Sequence, residues 1–453
     1  MTSHKSPKLS RYLNPRYLKN PIVTGTFFLT LAGLITKLIG FFYRIFLSRI
    51  FKEEGLGVIG LISPVLILVH SVCASGIQNA ITRFVAASKK DKSAEAYGYL
   101  YTGVLISLLL SAGMAYLVFH YAAFISRVII GEPRCTPLLQ ISALSFPLAA
   151  LHSCINGFFY GCKKAAVPAF SMILEQVTRV STIYLLYAMF LKMEANPSLS
   201  FVCIGMFAGE IVSALFSCLM LIIQSKKASG RIAGEISGKK ACALFTLAAP
   251  ISLNRICISL LSTVETIQLP QKLIASGLTL SQSLSIYGVF SGMAFPLIMF
   301  PSAITGAAAS LLLPSVSEAQ ASGNNGRIKK TVTLTLGVCF LLGVGCMIFF
   351  LTFAELLGVL LFGSSAAASQ IRALSFVCPF LYLSGTLSSI LNGLGRTGIT
   401  FLYNLLALLV RLGFVFFVIP SIGFSGYIYG IVCSQIFLDL LIILALKQYI
   451  IYN

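Results

Sequence analysis

The stretch LITKLIGFFYRIFLSRIF, residues 34–51, sets Lys37, Arg44 and Arg49 in a run that is otherwise almost wholly apolar. The apolar run begins upstream at Ile22. It is therefore long enough to cross a bilayer core about 30 Å thick, which takes roughly 20 helical residues. A charge inside such a helix is expensive and calls for a partner or a function.

The rest of the chain has the same character. Of its 453 residues 57% are hydrophobic and 10% charged, with a mean hydropathy of +0.92, whereas a soluble domain carries about 25% charged residues. We read an all-α polytopic membrane protein with about twelve transmembrane helices. The expected spans are 22–47, 58–81, 97–120, 137–160, 167–191, 199–224, 241–264, 284–313, 331–353, 371–394, 399–419 and 426–450. They divide the chain into a basic cytoplasmic N-terminus (1–21), a first lobe (22–224), a basic cytoplasmic linker (225–240) and a second lobe (241–453). With both termini in the cytoplasm, 20 of the 33 Lys and Arg fall inside, 6 outside and 7 within spans, as the positive-inside rule expects. The first apolar run is too long for a signal-peptide core and reads as a retained span.

This bias accounts for the net charge of +20, with attraction to anionic membrane lipids as its by-product. It does not indicate nucleic acid. There is no Trp, so an interfacial aromatic belt falls to tyrosines such as Tyr97, Tyr99, Tyr101, Tyr449 and Tyr452. The 12 cysteines contain no CxxC pair and act as small hydrophobes. No P-loop, HExxH or GxSxG occurs, and no long outer loop carries paired carboxylates. These features weigh against a glycosyltransferase, a ligase or an ATP-driven pump; neither enzymatic activity, cofactor nor metal is expected.

The two halves resemble each other. ALSF occurs at 143–146 and at 373–376, each time opening a span that ends in Asn-Gly. At an offset of about 230 residues Pro64 pairs with Pro296, Gly76 with Gly306, Gly131 with Gly363, Arg179 with Arg411, and Glu210 with Asp439. An even number of helices per half relates the halves by an axis along the membrane normal, an arrangement typical of transporters with a site between two lobes.

Intramembrane charge picks out candidate residues. Gly33, Lys37, Gly40 and Arg44 share one face of the first helix. Lys37 is expected to line a central cavity. Arg44 either lines it too or snorkels to the surface, and Arg49 reads as a surface anchor. Arg255, in the first helix of the second half, is the expected counterpart of Lys37 across the lobe boundary. Glu175 and Arg179 are four apart and suited to pairing along one helix. His70, His152, Glu210, Arg411 and Asp439 are candidates for ion or proton coupling or for inter-helix pairing, and Glu265 lies near a span end. Pro64 and Gly76, with Pro296, Pro301, Gly306 and Pro314, mark interrupted helices at matching places, read as hinges or as packing kinks.

Residues 25–92, above all Lys37, Gly40, Arg44 and Arg49 followed by EEGLG, resemble the opening of the stage V sporulation protein B family of polysaccharide-type exporters. That family shares a superfamily with MurJ-type lipid II flippases and multidrug and toxin extrusion (MATE) transporters. The resemblance implies two six-helix lobes that move undecaprenyl-pyrophosphate-linked sugars across the bacterial cytoplasmic membrane by alternating access, as a monomer, with Lys37 in the cavity. Relatives carry two further C-terminal helices that hold the lipid tail; the twelve spans here include no counterpart of them. Cationic groups suit a pyrophosphate. The alternatives are a cation-coupled drug exporter, which would call for an acidic cavity, and a non-transporting scaffold for envelope or spore assembly.

Overall fold

The computed structural model describes residues 21–88, 93–193, 197–227 and 235–452. The basic N-terminus lies outside these residues except for its last position, as does the middle of the linker. The described chain is helical throughout, without strands.

The helix Pro21–His70 contains one non-helical residue, Lys52, at φ 54° and ψ −165°. At about 1.5 Å per residue, the apolar stretch Phe28–Ala87 of 60 residues is far longer than a bilayer is thick. Lys52 is the reversal that divides it into α1 (21–51) and α2 (53–87). Helix α2 continues through a π turn, Ser71–Ser75, into Gly76–Ala87. Then follow α3 (Ser93–His120), the bent α4 (Cys135–Ala143 and Phe146–Gly161), α5 (Ala166–Lys192), α6 (Ser200–Lys227) and α7 (Gly238–Ala275). Helix α8 begins at Leu280–Gly288, passes a π turn at Val289–Ala294, and resumes as Phe295–Met299 and Ser302–Ala321. The remainder are α9 (Asn325–Phe362), α10 (Ser365–Leu374 and Cys378–Gly393), α11 (Thr397–Gly413, extended to Ile422) and α12 (Phe424–Tyr452). Among the described residues nine helices are long and apolar enough to cross a membrane, or ten with the bent α4 pair as one span.

The halves repeat in detail. Helix α2 packs on α4 as α8 packs on α10. Thr82 Oγ1 donates to the Gly157 carbonyl at 2.9 Å, and Ser317 Oγ donates to the Gly393 carbonyl at 2.7 Å. A Cβ on Gly157 or Gly393 would lie 2.7 or 2.8 Å from a backbone carbonyl of the facing helix, which explains the Asn-Gly of both halves. Gly131 and Gly363 are both left-handed, at φ 82° and 68°, a conformation open to glycine at helix ends.

Prolines and π turns interrupt α2 and α8 alike. Pro64 sits inside α2, and its carbonyl accepts from Thr263 Oγ1 of α7 at 3.3 Å. Pro296 follows the π turn of α8, Pro301 stands at the next break, and Pro314 lies within the final segment. Gly76 keeps helical angles, and its bare Cα lets α7 approach, since a Cβ would meet Ser252 Oγ at 2.0 Å. Gly306 has open space beside it. Tyr97, expected at the interface, is instead 2% exposed and packs on Phe158.

Candidate functional site

Helices α1, α2, α5, α6 and α8 enclose a cavity of about 590 Å³. From α1 come Lys37, Tyr43 and Arg44, from α5 Glu175 and Arg179, and from α8 Ser291. The spacing that puts 37, 40 and 44 on one helical face is what aims both α1 cations inward. Arg44 Nη1 donates to the Ser291 carbonyl at 2.8 Å. That carbonyl lies in the π turn of α8, where the regular helical ladder is broken. Arg179 Nη2 lies 2.5 Å from Glu175 Oε1, four residues earlier on α5. The lining thus holds three cations against one carboxylate, and the carboxylate is already paired.

Directly beside Glu175, between α5 and its neighbours, His152 Nε2 of α4 lies 2.9 Å from Glu210 Oε2 of α6. One ligand atom from each of His152, Glu175 and Glu210 falls within 4.8 Å of the others. Glu210 also lines a second cavity of about 220 Å³, together with His70.

The second half uses its charges differently. Glu265, expected near a span end, lies well inside α7, which runs on to Ala275. The helix continues because polar residues such as Glu265 and Gln268 are sheltered by neighbouring helices. Glu265 is 4% exposed; Arg411 Nε of α11 lies 2.6 Å from its Oε1, and Tyr427 Oη donates to it at 2.9 Å. Arg179 and Arg411, matched in the repeat, therefore differ: one pairs along its own helix, the other across helices. Asp439 of α12 is 3% exposed, and neither carboxylate oxygen takes a hydrogen bond among the described residues. Its repeat mate Glu210 has His152.

Arg255 does not join the site. It is exposed and is not among the residues lining the cavity of Lys37. One turn along α7 from Ser259, its charge lies within electrostatic reach of His70 on α2. The partner that α1 finds in the second half is the α8 backbone, and its signal in the sequence was the glycine and proline break of α8.

The α1–α2 reversal stands at one end of the cavity, whose lining includes Leu47 and Leu56 on either side of it. Arg49, expected as a surface anchor, is exposed and donates to the Leu360 and Leu361 carbonyls at 2.5 and 3.2 Å, capping the end of α9, where a cation meets the negative helix terminus. Ser364, the N-cap of α10, donates to Glu53, and Ser281 Oγ donates to Glu54 at 2.6 Å. Arg134 reaches Glu54 at 2.6 Å and Glu132 at 2.8 Å. Glu132 and, after it, Glu54 hold that guanidinium above its usual range against partial burial. Beneath these contacts α2 and α8 touch backbone to backbone, because a Cβ on Gly57 would lie 2.1 Å from the Leu284 carbonyl and one on Gly288 1.9 Å from that of Glu53. Small residues of this kind let membrane helices approach closely. The EEGLG motif is thus the latch between the two halves.

A twelve-helix pseudo-symmetric bundle with a charged cavity between its halves is the MATE-type membrane-protein fold. The chain belongs to the polysaccharide biosynthesis protein family, whose model matches residues 22–320. It is 26% identical to stage V sporulation protein B of Bacillus subtilis over 430 residues, 93% of this chain and 83% of that protein. It is 21% identical to the lipid II flippase MurJ of the same organism, covering 70% of this chain and 62% of that one. Its fold matches an inward-facing MATE family transporter of the MOP superfamily with a TM-score of 0.74 at 15% identity, over 92% of this chain and 94% of that one. The protein is a multi-pass membrane protein of the polysaccharide biosynthesis family with a MATE-like fold.

Proposed function

We propose that the protein moves a lipid-linked, undecaprenyl-pyrophosphate-type oligosaccharide or peptidoglycan precursor across the bacterial cytoplasmic membrane by alternating access. The observation that carries this reading is the gathering of Lys37, Arg44 and Arg179 around one cavity whose single carboxylate is paired. Arg and Lys hold phosphate oxygens through charge-assisted hydrogen bonds, and a cavity shielded from bulk water strengthens them. A relative named as a lipid II flippase and the polysaccharide biosynthesis family support the same substrate class. The surplus of positive charge disfavours a cationic drug as cargo, and a scaffold has no use for a charged cavity.

In this reading the protein acts as a monomer of two lobes with both termini in the cytoplasm. The α1–α2 latch then closes the outer face, and the described state opens inward. Purified protein in liposomes, given a fluorescent undecaprenyl-pyrophosphate sugar, tests it. Transbilayer movement lost in Lys37→Ala and Arg44→Ala supports the reading. Protein that neither moves nor binds such lipids sinks it.

A further inference from the structure

The cluster behind the central cavity does more than brace helices. We propose that His152, Glu175 and Glu210 form a binding site for one divalent transition-metal cation of the Zn²⁺ or Mn²⁺ class, and that its occupation releases Arg179 from Glu175 into the central cavity.

Geometry comes first. Each donor stands on a different helix, α4, α5 or α6, and one nitrogen and two carboxylate oxygens lie within 4.8 Å of one another. A metal about 2.1 Å from each donor needs them about 3.4 Å apart in tetrahedral geometry, which side-chain rotation alone supplies. The helices themselves hold still. Ser171 Oγ of α5 lies 2.6 Å from Ser213 Oγ of α6. A Cβ on Gly209 would come within 2.9 Å of the Glu175 carbonyl, so that glycine sets the close approach placing Glu175 beside Glu210. The other ring nitrogen of His152, Nδ1, lies 3.3 Å from the Asn156 amide. Turned to present its oxygen, that amide accepts Nδ1–H and leaves Nε2 as the ligand, as an outer partner of a metal-bound histidine does.

Charge points the same way. Two carboxylates share one guanidinium, Arg179 on Glu175, and one imidazole, whose Nε2 lies 2.9 Å from Glu210 Oε2. The side chains are only 12% and 16% exposed for His152 and Glu210, and 20% for Glu175. With the imidazole neutral, the cluster carries two carboxylates against one guanidinium, and a surplus negative charge at this depth is costly. A mixed nitrogen and oxygen donor set suits Zn²⁺, Mn²⁺ or Fe²⁺, whereas Ca²⁺ asks for six to eight oxygens. Entry is open from two sides, since Glu175 lines the central cavity and Glu210 the second one.

Two carboxylates neutralise one divalent cation. Once it is bound, the claim of Arg179 on Glu175 is surplus, and the guanidinium becomes free for an anion in the cavity. Metal binding itself needs no substrate, so its test stands apart from the proposed function.

Chelator-stripped protein is titrated with Zn²⁺ and Mn²⁺ by calorimetry, and with Co²⁺ as a spectroscopic probe. One equivalent per chain is expected, abolished in His152→Ala and Glu210→Gln. Unaltered protein supplies a second readout that no folding defect can blur. Zn²⁺ slows diethylpyrocarbonate modification of His152 at least tenfold while His120 reacts as before, and it raises phenylglyoxal modification of Arg179 severalfold, both read by peptide mass spectrometry. Absence of a bound equivalent, binding that survives both substitutions, or His152 reactivity indifferent to metal overturns the site. Arg179 reactivity indifferent to metal, with binding intact, overturns the release.

Discussion

Arg44 of α1 holds the Ser291 carbonyl of α8 at 2.8 Å across the boundary between the halves. One side chain is thus both a cavity cation and a tie between the lobes. A substrate phosphate that recruits Arg44 must break that tie, which links binding to relative movement of α1 and α8.

Arg44→Ala removes a charge-assisted hydrogen bond worth about 1.5–3 kcal/mol, so affinity for an undecaprenyl-pyrophosphate lipid is expected to fall by about 10- to 150-fold. Arg44→Lys retains the charge without the planar fork and falls between. Calorimetric titration in detergent reads both, and equal affinity in Arg44→Ala and the parent removes Arg44 from the anion site.

Glu265 and Arg411 tie α7 to α11, with Tyr427 as a third member. Removing one partner of a buried pair leaves the other stranded, at about 3–5 kcal/mol. Glu265→Gln and Arg411→Leu should each lower the thermal midpoint in detergent, and the double variant Glu265→Leu with Arg411→Leu should recover much of the loss. Additive losses in the double variant would show that the two charges do not act as a pair.

How far the sequence foretold this varies residue by residue. Lys37 and Arg44 were legible because helical spacing alone puts them on one face, and the repeat was legible because Asn-Gly and the positive-φ glycines recur where the packing demands them. Glu265 was not, since hydropathy ended the span before a carboxylate that a distant arginine shelters. Arg255, the expected counterpart of Lys37, does not line that cavity because the second-half helix reaching it is α8 and not α7, and an approximate repeat does not say which helix crosses the boundary. The acceptors of Arg49 were not legible, because they are backbone carbonyls more than 300 positions away, and backbone groups leave no mark on a sequence.

The latch offers a cleaner probe than the cavity. At Gly57 an added methyl would sit 2.1 Å from the Leu284 carbonyl, whereas at Gly33 it would meet nothing within 4 Å. Gly57→Ala should force α2 from α8, destabilise by about 1–3 kcal/mol as overpacking does, and raise hydrogen exchange at residues 53–60 and 281–292. Gly33→Ala should be neutral or stabilising by about 0.4–1 kcal/mol. Unchanged exchange in Gly57→Ala would mean that this crossing does not hold α2 to α8.

The two buried carboxylates of the second half should respond with opposite sign. Glu265 has a guanidinium and a phenol against it, while Asp439, 3% exposed, has no hydrogen bond to either oxygen among the described residues. Burying a polar group without a partner costs about 1–3 kcal/mol on mutational scales. Asp439→Asn preserves the shape and removes the acid, and Asp439→Leu removes the polarity altogether. Thermal midpoints in detergent are therefore expected to rise in Asp439→Leu, to hold or rise in Asp439→Asn, and to fall in Glu265→Gln. A fall in both Asp439 variants as deep as that of Glu265→Gln would show that Asp439 is held by an interaction as strong as the one Arg411 gives Glu265.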